Sequence, residues 1–440
     1  MSDERQDRTR STTRGRATLR SADVDLVVIG AGIAGLAATK TARAEGLSVA
    51  LIEASDRVGG RAHTDTDTLG LPFDRGCHWL HNARHNPFRA LADRWGFVYR
   101  KAAIERRTHL GDRWATAAEE RARERFEDEA SARIDAVGAA GLDVPASEPL
   151  AALRERASPW EPVFTRFFTA VMGAPPERCS SLDFYNYEDG GDYPVRDGFG
   201  TLVARYAEGV DVSLETPARA LDWSGAGVVV DTLRGRITAR AAIVTVPTSV
   251  LAAGVIRFTP QLPAWKLAAI DGLPMGHTNK IALKFDRDVL GEDFGVPENA
   301  ALELRPGAPQ VPGFELRPFG RALAIAHVAG SLAQELERAG PLAMVSFARD
   351  QLRIAFGSKV QERLVAHATT AWSSAPWTLG AFSTAAPGRA AAREEYARPL
   401  AERLFFAGDA ASVDAFGSAH GALESGITAA RAAIDRVRLL

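Results

Sequence analysis

"DLVVIGAGIAGLAATKTARAEGLSVALIEAS", Asp25 to Ser55, sets a run of β-branched residues directly before Gly30, Gly32 and Gly35. A helical pattern follows, closed by Gly46, and then a second apolar strand ending in Glu53. The order is strand, glycine turn, helix, strand. Glycines so placed allow a tight turn and let a pyrophosphate approach the helix N-terminus, where the peptide dipoles carry partial positive charge. Glu53 falls where a carboxylate accepts hydrogen bonds from a ribose 2′-hydroxyl. With both strands, the helix and the acid in register, the stretch predicts an α/β, Rossmann-like domain that binds a dinucleotide.

The next residues, "EASDRVGGRAHT", separate the candidate dinucleotides. Arg57, Gly59, Gly60 and Arg61 follow the ribose acid directly, placing two cations and a flexible backbone beside phosphates. That is more than NAD needs, and it points to FAD; the competing reading is a surface turn with two solvated arginines. A second flavin contact lies at the far end of the chain, in "RLFFAGDAASVDAFGSAHGALESGITAA". Leu404 to Phe406 read as a strand running into Gly408 and Asp409, where the aspartate can bind ribityl hydroxyls. A helix then begins near Ser418, and its positive end suits the anionic N1 and C2 carbonyl edge of a reduced flavin. The cofactor site is therefore expected to be discontinuous in sequence.

Composition narrows the remaining possibilities. The 440 residues, 46% hydrophobic, are enough for two or more domains with a large core. Fifty-three basic and fifty-five acidic side chains leave no basic excess, so no nucleic-acid partner is expected. Cys77 and Cys179 make no CxxC pair and no disulfide framework, which fits a reducing, cytoplasmic location. The arginine-rich residues 1–21 lack the apolar core of a secretion signal and read as a disordered tail. No apolar run reaches the length of a membrane span. The C-terminal stripe Leu423, Ile427, Ala430, Ile434, Val437 reads as a docked helix.

In "GHTNKIALKF", Gly276 to Phe285, Ile281, Leu283 and Phe285 share one face of a strand while Lys280, Ala282 and Lys284 share the other. A strand lysine is ordinarily solvated. Taken in order with "FDRGCHWLH", "IVTVP", "AWSSAPWTLGAF" and "FAGDA", however, this segment resembles the flavin-containing amine oxidases, a family that includes monoamine and polyamine oxidases, histone lysine demethylases and L-amino-acid oxidases. The resemblance covers the chain from about Asp23. It implies that Lys280 holds a water at flavin N5, that His78, Trp79 and Trp372 contact the cofactor, and that His81 orients substrate. Ala218 resembles the start of the segment that contacts adenine through its backbone.

Two departures from the family pattern bear on substrate and cofactor. Ala381 stands where covalent relatives carry the flavin-linking cysteine, so FAD is expected to be noncovalent. Phe382 matches the first of two tyrosines that flank the amine, and Ser418 replaces the second, leaving room for a longer or bulkier substrate. The "SAHGALESG" run is nearer to polyamine oxidases and histone demethylases than to monoamine oxidases.

The resemblance further implies an FAD domain of the GR2 type from residues 22–82, 198–264 and 383–440, with an interleaved α+β substrate domain from 83–197 and 265–382. Within the latter, "AAEERARERFEDEASARIDA" reads as a helix with a solvated charged face. Glu188, Asp189 and Asp192 read either as a surface loop or as acids that draw cationic amines to the cleft. The expected reaction moves hydride from the carbon beside an amine to flavin N5, gives an imine that hydrolyses, and uses dioxygen or another acceptor for reoxidation. Three other readings stay open. An L-amino-acid oxidase requires a carboxylate clamp, for which Arg84, Arg89 and Arg166 are candidates; the others are an FAD-dependent desaturase or dehydrogenase and a flavin-bound interaction protein without turnover.

Overall fold

The Val24–Ile29 strand lies inside a seven-stranded sheet whose members come from three distant stretches of chain. This computed structural model describes residues 23–100, 105–188, 190–308 and 310–439; the tail at 1–21 and Asp189 lie outside them. Val24–Ile29 pairs in parallel with Val49–Ile52 on one side and with Gly235–Val244 on the other. The latter strand is long enough to meet two neighbours along its other edge: its first half pairs antiparallel with Val228–Thr232, and its last three residues pair in parallel with Leu404–Phe406. Ala218–Asp222 and Arg257–Thr259 extend the sheet.

Both faces of this sheet are covered, which explains the unbroken apolar run in its central strand. Leu26 and Val28 face a core shared by Leu36, Ile243, Leu423 and Ile434, whereas Val27 and Ile29 face a second core with Ile270, Tyr396 and Phe406. The Ile33–Ala44 helix packs close on the glycine turn: a Cβ on Gly35 would stand 1.8 Å from the Gly30 carbonyl oxygen, so no other residue fits there. The Ala419–Leu439 helix docks through the expected stripe, with Leu423, Ala430, Ile434 and Val437 buried and Ile427 partly so. Among the described residues no helix is long and apolar enough to cross a membrane.

A second, six-stranded sheet runs Leu364–Thr369, Thr278–Phe285, Leu323–Ala329, Gly313–Leu316, Ala300–Leu304, Arg106–His109. The strand carrying Lys280 is second from its edge and is buried on both faces. Ile281, Leu283 and Phe285 enter one core, while Ala282 enters another with Leu69, Phe73 and Ile325. The second face is thus no open surface: Lys280 and Ala282 on it are buried, and Thr278 and Lys284 are half-buried.

The charged Ala117–Ala139 helix keeps the expected solvated face, with Arg121, Glu124, Arg125 and Asp128 exposed, and departs from expectation at Arg123. Its start carries a Thr116–Glu119 capping box, and Phe126, Ala130 and Ile134 are buried. Arg123 is 2% exposed rather than solvated, because its guanidinium meets Glu120 at 3.0 Å and Glu127 at 2.8 Å. A periodic count of charges does not separate an arginine paired within its own helix from one facing water.

The segments near residues 183 and 393 are joined by a buried ion pair. Arg393 donates to the two Asp183 carboxylate oxygens at 2.6 and 2.8 Å, and its guanidinium lies 3.8 Å from the Phe416 ring centroid. Replacing Asp183 by Asn leaves a buried guanidinium without its charge partner, at a cost of about 3–5 kcal/mol. Equilibrium urea unfolding measures this, and a loss under about 1 kcal/mol would contradict the assignment.

Candidate active site

Glu53 ends its strand nearly buried, and its carboxylate is held from two sides. Oε2 accepts from the Ala31 amide at 2.7 Å inside the glycine turn, and Oε1 accepts from Ser55 N at 2.9 Å and Ser55 Oγ at 2.8 Å. The acid is thereby fixed beside the turn, and Oε2 keeps one lone pair to spare. Residues 213–216 lie alongside, since Glu53 N donates to Ser213 O and Glu53 O accepts from Thr216 N. Buried Ala218 opens the next strand. Thr245, which sequence reasoning did not single out, pins the turn by donating to the carbonyls of Ile29 and Gly30.

These residues fit FAD on an observation of the fold itself. A Cβ added at Gly32 or at Gly408 would meet nothing within 4 Å, so both glycines border open space that a side chain would fill. The helix that begins at Ile33 has no side-chain cap, leaving its first amides aimed at that space. Gly59 and Gly60 flank it, with Gly59 bridged to Gly32.

The two arginines play different parts. Arg57 is half-buried and, among the described residues, donates to the neighbouring Val58 carbonyl alone. Arg61 donates to Asp409 Oδ1 at 2.5 Å and to the Ala381 carbonyl at 2.8 Å. Burial opposes the Arg61 charge, but the Asp409 carboxylate outweighs it and raises the guanidinium above its ordinary value. Asp409 also accepts from Ser383 N and Oγ, so it organises the segment that carries Phe382.

Lys280 is 6% exposed. Its ammonium donates to the carbonyl oxygens of Asp74 at 3.0 Å and Gly76 at 2.8 Å, and lies 5.7 Å from the Trp79 ring centroid. Burial lowers the Lys280 pKa, against the opposing pull of Asp74 and Glu315. Asp74 is itself held by Thr64 Oγ1 and by the amides of Phe199 and Gly200. The Trp372 indole donates to the Arg75 carbonyl at 2.9 Å, so "FDRGCHWLH" and "AWSSAPWTLGAF" meet in space.

His78 is buried, with Nε2 3.0 Å from Glu315 Oε2 and Nδ1 3.6 Å from Asp74 Oδ2. His81 Nδ1 lies 2.7 Å from Asp192 Oδ1, which leaves its other nitrogen free to turn elsewhere. Of the acids considered, Asp192 is thus tied to His81, and Glu188 accepts from Asn82 at 3.3 Å. Phe382 is half-buried against Gly173 and Gly417. Ser418 sits next to Gly417 but is buried. Its hydroxyl accepts from Gly421 N at 3.1 Å and donates to the Ala415 carbonyl at 2.6 Å, capping the last helix. The serine therefore has a structural task besides being smaller than a tyrosine. Glu315 and His327 were not foreseen; an acid inside the apolar run "GFEL" is the signal that marks the first.

The chain matches the family described as flavin containing amine oxidoreductase over residues 33–434. Polyamine oxidase 4 of Oryza sativa subsp. japonica is 29% identical over 440 residues, covering 92% of this chain and 87% of its own length. Lysine-specific histone demethylase 2 of Homo sapiens is 26% identical, over 88% of this chain and 50% of that protein. Among solved structures, wild-type putrescine oxidase bound to putrescine shares the fold with a TM-score of 0.73, covering 93% of this chain and 98% of that one at 22% identity. With the family match running from the first helix into the last, the chain belongs to the flavin-containing amine oxidoreductases and is an FAD-dependent oxidoreductase acting on amines.

Proposed function

We propose that this chain oxidises extended or bulky secondary amines with noncovalently held FAD, and that dioxygen is the final acceptor. The observation that carries the reading is the buried Lys280 ammonium beside Trp79, a charge held out of water with one donor left over after its two structural bonds. The chemistry FAD supplies when bound is acceptance of a hydride from the carbon next to a neutral amine; the imine hydrolyses, and reoxidation by dioxygen gives hydrogen peroxide.

The chain's own residues bind, orient and exclude water. Two of the three Lys280 donors are taken by the carbonyls of Asp74 and Gly76, so the third remains to hold a water at the reaction centre. Trp79 and Phe382 offer ring faces to the substrate's alkyl chain or ammonium. Asp192 orients the His81 ring, and its charge favours a cationic amine in the cleft. Ala381 supports noncovalent attachment because it offers no thiol. Cys77 and Cys179, both free, support placement in a reducing, cytoplasmic compartment.

The amino-acid oxidase reading gains nothing from the arginines it requires. Arg166 is committed to Glu303 and the Leu304 carbonyl, Arg89 to Tyr99, and Arg84 is exposed.

Peroxide release from the FAD-loaded protein on an amine panel tests the reading. N-acetylspermine should exceed benzylamine in kcat/KM by about tenfold or more, the worth of one lost aromatic contact; a benzylamine preference would contradict it. Acid precipitation should release all the flavin into the supernatant. Rebinding of FAD to the resulting apoprotein, followed by flavin fluorescence, should be weaker in Glu53→Gln by roughly 1.5–3 kcal/mol, the worth of a charge-assisted hydrogen bond. Yellow colour retained on the polypeptide, or an unchanged Kd in the variant, would count against these assignments.

A further inference from the structure

Behind Trp79 lies a set of titratable side chains that the reaction just described does not use. In the six-stranded sheet Lys280 stands directly across from His327, and His327 stands across from Gly313. Glu315, two residues beyond Gly313, therefore shares the face of Lys280 and His327 as a diagonal neighbour. His78 reaches the same carboxylate from the loop that Lys280 anchors.

The contacts converge on Glu315. Its Oε2 lies 3.0 Å from His78 Nε2 but off line for a hydrogen bond, which Oε1 takes at 3.3 Å. On the other side Oε2 lies 3.8 Å from His327 Nε2. The two imidazoles in turn hold Trp79. His78 meets it edge-on at 4.5 Å between centroids, and His327 stacks on it at 5.6 Å with 28° between planes. His78 Nδ1 and His327 Nε2 are buried without a hydrogen bond.

A carboxylate flanked by buried Phe314 and Leu316 costs desolvation energy that only its partners repay. Burial opposes the charge on both histidines. At His78 the Glu315 carboxylate outweighs it and raises the pKa, whereas at His327 burial prevails and lowers it. Such divergence between neighbouring groups is characteristic of tuned reaction sites.

We propose that Glu315 is a positioning residue for amine oxidation: it bridges His78 and His327, fixes the Trp79 ring between them, and supplies the counter-charge for Lys280. The inference rests on Lys280 and Trp79 lining the reaction site. The charged groups facing Glu315 are His78 and Asp74 from one side, Lys280 and His327 on the sheet, and Arg321 at the sheet's end. Cys77 also faces Lys280. Glu315 attracts protons to Lys280 and to His78, so removing its charge lets both lose them at lower pH.

Glu315→Gln tests this in the FAD-loaded protein with N-acetylspermine. The variant should bind FAD as wild type does and lose kcat by about tenfold with KM within about twofold, the pattern of lost alignment. The alkaline limb of its pH profile should move down by about one unit. Independently of turnover, the His78 titration midpoint, followed by NMR of 15N-histidine protein without substrate, should fall by a similar amount. Glu315→Asp keeps the charge on a shorter stem and should restore the limb to its wild-type place. A wild-type limb and an unmoved His78 titration in Glu315→Gln would overturn the proposal. Should that variant not fold, Glu315→Asp decides: kcat reduced by about threefold or more with the limb unmoved is expected, and an unchanged kcat overturns it. Absence of amine-dependent peroxide from the unmutated protein would instead refute the underlying reading of the site, and the inference with it.

Discussion

The arrangement turns on one buried ammonium. Lysine carries three donors and no acceptor, so inside a protein it must be given oxygens or lose its charge. Lys280 is given the carbonyls of Asp74 and Gly76, which belong to the loop leading from the glycine pair into "GCHWLH". Through those two bonds the six-stranded sheet holds the loop that presents His78, Trp79 and His81. Asp74 closes the other side of the same loop by accepting from Phe199 and Gly200, at the start of the helix that runs to Ala207. One side chain thus ties the six-stranded sheet to the loop that carries His78, Trp79 and His81.

An ion pair performs the matching task at the far side. Arg61, from the front of the chain, grips Asp409, from the back, and the carbonyl beside Phe382. Asp409 in turn receives Ser383. Both sets of contacts are short and join segments more than 200 residues apart, so each ties distant parts of the chain together at the candidate site. The helix starting at Ala419 adds its positive end there, with the Ser418 hydroxyl as its cap.

The parts of this design that repeat along the chain were legible before any coordinates. The glycine turn with Glu53, the Leu404–Phe406 strand and the apolar stripe of the last helix follow from periodicity and turn chemistry, and each lies where it was expected. Lys280 was legible as a question only, because alternation does not say whether a strand's second face meets water or another layer. Here it meets the core around Leu69 and Phe73. Asp183, Arg393, Glu315 and His327 escaped notice because their partners are set by tertiary contacts across up to 237 residues, as between His78 and Glu315. Arg123 was misjudged for the opposite reason: its partners are within its own helix.

The central claim is that the Lys280 ammonium, and not merely its bulk, serves the reaction. Lys280→Met keeps the stem and removes every donor. It also leaves the carbonyls of Asp74 and Gly76 without a partner, so some loss of thermal stability accompanies it, about 1–3 kcal/mol for each orphaned group. Anaerobic stopped-flow reduction of the FAD-loaded variant by N-acetylspermine, followed by reoxidation with dioxygen, separates the two halves of the cycle. The account predicts full FAD occupancy with at least one half slowed on the order of 10²-fold. Wild-type rates in both halves, with FAD fully bound, would contradict it.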